Sequence, residues 1–387
     1  MTPRQRLKDI TQLFLKLGVI GFGGPAAHIA MLEEEVVTRR GWLDRSRFLD
    51  LMGATNLVPG PNSTQMVIHV GYIHGGLFGL ILSGVAFLMP AGFITGILAW
   101  IYVSFGDLPQ IEPLFYGIKP AVLAVILGAL WKLGKKAVKS YQIFLIGVAV
   151  AILLLLGINE VVALLLGGMG GMLLLRLRDY LAKNRIEGLI AGMTMATLLQ
   201  TATATETTRQ PTLWNLGFFF FKVSCILFGS GYVLIAFIER ELVNQYGWLT
   251  QGELLDAIAI GQFTPGPVLT TSTFIGYLVA GIPGAIVSTI SIFFLSFVLV
   301  GLLNPIIPKL RKSKWSSAFL DAINVSAVAL MAIVTLQLAQ TLFLEPLDYL
   351  AMFIFAVGAI AQFRFQIDAL WLVLGGAMLG LILSPFS

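Results

Sequence analysis

The chain has 387 residues, of which 57% are hydrophobic and only 12% charged, about half the charged share of a soluble globular domain. A mean hydropathy of +0.88 gives a water-soluble fold nowhere to hide its apolar surface, so the composition points to a polytopic helical membrane protein. The lone cysteine, Cys225, excludes an internal disulfide framework. The +5 excess of positive charge sits in short loops, as the positive-inside rule produces, and does not mark a nucleic-acid binder.

Arg4, Arg6 and Lys8 precede the first apolar stretch, as in a signal peptide, but Lys16 interrupts it and no small-residue cleavage site follows, so no cleavage is expected. Residues 11–32 and 51–75 are apolar yet broken near their middles, by Gly21-Phe22-Gly23-Gly24-Pro25 and by Pro59-Gly60-Pro61. Membrane spans follow at about 77–103, 114–131, 141–157 and 161–175. A thinner uncharged stretch, 188–204, is a candidate for an extra crossing. The later spans fall at about 279–303, 318–344, 349–363 and 368–385.

The chain repeats itself. At an offset of 206, Lys16 falls on Lys222, Phe22-Gly23 on Phe228-Gly229, and Glu33 and Glu35 on Glu239 and Glu241. Gly41-Trp42-Leu43 meets Gly247-Trp248-Leu249, and Pro59-Gly60-Pro61 meets Pro265-Gly266-Pro267; 18 of the 50 positions 15–64 are identical without a gap. After one deletion Gly71-Tyr72 meets Gly276-Tyr277. Two homologous modules are therefore expected, 1–180 and 213–387, joined by a linker at 181–212 that holds the extra crossing.

Loop charges suggest how the modules sit. Loop 104–113 holds Asp107 and Glu112 without a cation, and its counterpart 304–317 holds Lys309, Arg311, Lys312 and Lys314. One connection later the signs exchange, Lys132, Lys135, Lys136 and Lys139 against Glu345 and Asp348. Opposite bias at equivalent loops predicts an inverted-topology repeat. If the two leading segments of each module crossed fully, the cationic loop 33–50 would lie outside. As re-entrant hairpins they leave it cytoplasmic, and irregular backbone at membrane depth must then line a cavity or be buried in protein. The fold class expected is all-α, with two broken hairpins and about four spans per module.

Pro-Gly-Pro ends one half-helix and starts another. The N–H groups after Pro61 lack intrahelical partners and carry the positive end of a dipole, with Asn62, Ser63 and Thr64 in the first turn: an anion site in outline. Thr264, Pro265, Gly266, Pro267, Thr270 and Thr271 offer the same, although Val268 and Leu269 replace Asn62 and Ser63. A simple packing kink is the alternative. Lys16 and Lys222 lie in apolar segments, where a cation costs about 2.5–3.5 kcal/mol on insertion scales and usually faces a polar interior; they suit a dianion shared between the halves, or Lys16 snorkels. Glu33 and Glu239 are candidates for coupling or gating, or are interfacial solubilisers, and Lys119 is a weaker candidate of the same kind. His28, His69 and His74 have no metal-ligand spacing. No metal site, cofactor motif or nucleophile–base pair is evident, so no enzyme is expected.

At Phe22-Gly23-Gly24-Pro25, Gly41-Trp42-Leu43, Asn56-Leu57-Val58-Pro59-Gly60-Pro61 and their copies, the chain resembles the chromate ion transporter family of two-domain type. The resemblance implies a multi-pass protein of the cell membrane that exports chromate, with sulfate as its look-alike, and no cofactor. It carries function to Lys16, Glu33, Asn56, Lys222 and the breaks, which include Gly23 and Gly24 and, in the second copy, Gly229, Ser230 and Gly231. Gln262, at the repeat position of Asn56, joins the candidates. The second copy reads Phe228-Gly229-Ser230-Gly231 where the first has a proline, against a symmetric site. Alternatives are an exporter or antiporter of sulfate or another anion, or a lipid-handling membrane protein; the lipid bilayer and a second copy of the chain are the expected partners.

Overall fold

The computed structural model describes residues 2–22, 24–55, 58–106, 108, 111–181, 210–228, 231–303, 314–344 and 347–383. The described elements are fourteen helices: α1 Pro3–Ile20, α2 Gly24–Glu33 continued by a π turn Glu34–Arg39, α3 Arg45–Thr55, α4 Asn62–Phe105, α5 Glu112–Ala137, α6 Tyr141–Leu155, α7 Glu160–Leu181, α8 Leu213–Ile226, α9 Val233–Phe237 with a π turn Ile238–Gln245, α10 Gln251–Phe263, α11 Thr271–Leu303 after a 3₁₀ turn Val268–Thr270, α12 Lys314–Leu344, α13 Tyr349–Phe365 and α14 Ala369–Leu383. Four stretches, Asn62–Phe105, Glu112–Ala137, Val268–Leu302 and Ser317–Leu344, are long and apolar enough to cross a membrane.

Local chemistry sets the ends. Thr2 caps α1 reciprocally with Gln5, with Pro3 at the first helical position, and Thr250 caps α10 in the same way with Glu253. α4 is two helices merged across a kink at Gly76 (φ 63°, ψ −152°), and α11 repeats the kink at Gly281 (φ 62°, ψ −152°). That left-handed backbone suits glycine alone. The kink divides the short arm 62–75 from the long helix beyond it, where the sequence separates a hairpin from a span. The connection 188–204, the residues Asp107 and Glu345, and the cations Lys309, Arg311 and Lys312 lie outside the described residues.

Packing interlocks the halves. α1 lies along α4 and α8 along α11, the same pairing in each module. Beyond the kinks the modules exchange partners: α5 of the first packs on α13 and α14 of the second, while α12 of the second packs on α6 and α7 of the first. Glycines let α5 and α14 touch, since a methyl on Gly117 would lie 2.1 Å from the Gly376 carbonyl oxygen.

Candidate functional site

The helix breaks meet across the halves. The Gly60 N–H donates to the Leu227 carbonyl at 2.6 Å, and the Gly266 N–H donates to the Gly21 carbonyl at 2.6 Å. The repeat offset maps one bond onto the other: each Pro-Gly-Pro turn is tied to the broken first hairpin of the opposite module. Both turns need glycine, with φ +123° at Gly60 and +98° at Gly266. His28 Nε2 also bonds the Gly21 carbonyl, at 2.8 Å, and its ring stands edge-on to Phe87.

The first break is polar. Gln65 donates from Nε2 to the Pro59 carbonyl at 2.7 Å, which pins the turn. The hydroxyls of Ser63 and Thr64 and the Oε1 of Gln65 are buried and make no hydrogen bond within the protein. Ser296, from α11 of the other module, joins them: its Oγ is fully buried, makes no hydrogen bond, and would lie 2.6 Å from a methyl added to Gly60. Leaving such a group buried without a partner costs about 1–3 kcal/mol. The three hydroxyls, two in the first turn of α4 and one apposed from α11, form a set of unused donors.

The second break is closed on itself. Thr264 donates to the Gly261 carbonyl at 3.3 Å, Thr270 to Pro267 at 2.9 Å and Thr271 to Val268 at 2.8 Å, while the Thr270 N–H bonds the Pro267 carbonyl at 3.0 Å in the 3₁₀ turn. A methyl on Gly266 would meet the Ala91 side chain at 2.8 Å. Ser272, a turn further on, is the one hydroxyl of residues 264–273 whose side chain is buried without a partner. Gln262 accepts from the Tyr232 hydroxyl at 3.2 Å. Gly24 opens α2 at φ +78°, and Gly231 abuts Leu269 across the second break. Gly23, Asn56, Gly229 and Ser230 lie outside the described residues.

Both lysines are engaged. Lys16 Nζ pairs with Glu35 at 2.7 Å, and Lys222 pairs with Glu241. Sequence reasoning points instead to Glu33 and Glu239, two residues earlier. Those take other partners, Glu33 with Arg45 at 3.3 Å and Glu239 with the Asn244 amide at 2.8 Å. The signal was present, because Glu35 and Glu241 are also a repeat-matched pair. Lys119 lies beside α10, with Nζ 3.1 Å from a methyl placed on Gly252, near the buried Asp256 to which the Tyr102 hydroxyl donates at 2.9 Å. Among the described residues no three His, Cys, Asp or Glu gather into a metal site.

Comparison with known proteins agrees with this architecture. The family described as "Chromate transporter" matches the chain twice, over residues 8–172 and 214–381. The "Probable chromate transport protein" of Synechococcus elongatus is 34% identical over 336 residues, covering 85% of this chain and 84% of that protein. The "Chromate transport protein" of Cupriavidus metallidurans is 32% identical over 392 residues, covering 99% and 94%. One of the same description from Pseudomonas aeruginosa is 26% identical over 397 residues, covering 99% and 94%. No solved structure matches the chain.

Proposed function

The chain belongs to the chromate transporter family, a multi-pass membrane transporter and not an enzyme, and on that premise we propose that it exports chromate from the cytoplasm across the cell membrane through a site where the two modules meet. The observation that carries this reading is the reciprocal pair of bonds, Gly60 to Leu227 and Gly266 to Gly21. They join the four breaks in two cross-module pairs, an arrangement that suits helix starts facing a shared anion.

In this account the modules, 1–180 and 213–387, lie in the membrane with opposite orientation, and the 181–212 connection supplies the crossing that inversion requires. The leading helices are re-entrant hairpins whose tips meet at membrane depth. The loop charges and the exchanged packing of α5 and α12 support this. The dianion sits on N–H groups and hydroxyls at the breaks. Lys16 and Lys222, neutralised by Glu35 and Glu241 and about one and a half helical turns before the hairpin breaks, set the local field, while Glu33, Glu239 and Lys119 lie where the modules move. Export needs no nucleotide: one charge crossing the membrane potential is worth about 2.3 kcal/mol per 100 mV, and a dianion leaving an inside-negative cell gains about twice that.

The test is retention of chromate by cells. Cells loaded with chromate and producing the protein should lose it faster than cells without it, and sulfate should slow the loss. Equal loss, with the protein shown to be folded in the membrane, would overturn chromate export.

A further inference from the structure

The repeat places two Pro-Gly-Pro breaks at equivalent positions, yet the hydroxyls at their turns are in opposite states, with Ser272, further into α11, the exception at the second. A hydroxyl has one proton to donate. Thr264, Thr270 and Thr271 each give theirs to a backbone carbonyl of their own turn, so the second break has none of these to offer an anion. Ser63 and Thr64, 2% and 0% exposed, give theirs to nothing in the protein. The apposed long helices have diverged in the same sense. Where α11 brings the hydroxyl of Ser296 against Gly60, α4 brings the methyl of Ala91 against Gly266 at the equivalent position.

We propose that the transported oxyanion is held at the first break alone, and that Ser296, reaching over from the second module, is the specificity-determining residue that completes that site with Ser63 and Thr64. The inference rests on the proposed transport function and narrows its site. A tetrahedral oxyanion there meets hydroxyl donors from two modules at the N-terminal end of α4. Gly60 has no side chain, so Ser296 can approach the turn. Gln65 is a positioning residue: its amide holds the Pro59 carbonyl, and its Oε1 is an acceptor that the dianion, which has no proton to give, does not engage. Recognition by neutral donors fits lysines that already have carboxylate partners, and it leaves the dianion its full response to the membrane potential. The second break is then a structural pivot.

The experiment measures initial chromate uptake into inside-out vesicles for the wild type, Ser296→Ala and Ala91→Ser, with membrane content of each variant quantified. Ser296→Ala should raise KM about tenfold, the loss of one donor to an anion, and shift the ratio of chromate to sulfate inhibition. Ala91→Ser should leave KM within about twofold. Ser63→Ala should repeat the Ser296→Ala effect from the other module. An unchanged KM and selectivity in both Ser296→Ala and Ser63→Ala, beside an active wild type, overturns the one-sided site. A wild type that takes up no chromate overturns the transport reading instead, so the two failures are distinct.

Discussion

The two lysine–glutamate pairs are the same motif placed in different surroundings. In the first module Glu35 answers three cations, Lys16 at 2.7 Å and Arg39 and Arg40 at 3.4 Å each, and the Lys16 side chain is 49% exposed. In the second, Arg39 and Arg40 become Gln245 and Tyr246, and Glu241, with its side chain 3% exposed, is left with Lys222. Glu34 becomes Arg240, which turns away to the other module, pairing with the fully buried Glu160 at 2.9 Å and donating to the carbonyls of Ile158 and Gly157. Duplication kept the pair. Divergence made one copy a cationic rim and the other a buried link between modules.

The comparison breaks most visibly at Arg240. Arg240→Ala removes the cation paired with the fully buried Glu160 and should cost about 3–5 kcal/mol, read as a lower unfolding temperature in detergent, whereas Glu34→Ala at the equivalent exposed position should cost at most about 1 kcal/mol. An equal loss in the two would dissolve the contrast. Adding Glu160→Gln to Arg240→Ala should recover part of the stability, because the buried carboxylate that lost its arginine then carries no charge.

A smaller difference is expected at the lysines. Glu241→Gln removes the carboxylate paired with Lys222 and should destabilise the second module by about 2–3 kcal/mol, with Glu35→Gln the milder of the two because its cations reach solvent. Comparable unfolding temperatures for the two variants would contradict that order.

The smallest expected difference is none. Gly76→Ala and Gly281→Ala each force a side chain into the same left-handed backbone, with nothing within 4 Å of either added methyl. Each should cost about 1 kcal/mol, and matched losses would show that the kinks stayed equivalent while the charged corners diverged.

The sequence foretold much of the frame. Glycine and proline announce the breaks, and the offset of 206 predicts that whatever Gly60 bonds, Gly266 bonds in the mirror position. Side-chain partners were less legible. The choice between Glu33 and Glu35 depends on which face of the helix each occupies, and the π turn Glu34–Arg39 shifts that face by a residue that α-helical spacing does not anticipate. Ser296 lies 236 residues from Gly60 and meets it only because α4 and α11 pack together. Its one trace in the sequence is the exchange of alanine for serine between repeat-matched positions 91 and 296. The cross-module pair of Glu160 and Arg240 was not legible, since Arg240 stands where the first copy has the acidic Glu34 and lies 80 residues from Glu160.

The most direct test of an electrogenic exporter shared by two modules is chromate uptake into inside-out vesicles with and without an imposed inside-positive potential. The account predicts saturable uptake that rises with the potential and is blocked by sulfate. Uptake indifferent to the potential, or none from vesicles holding folded protein, would contradict it.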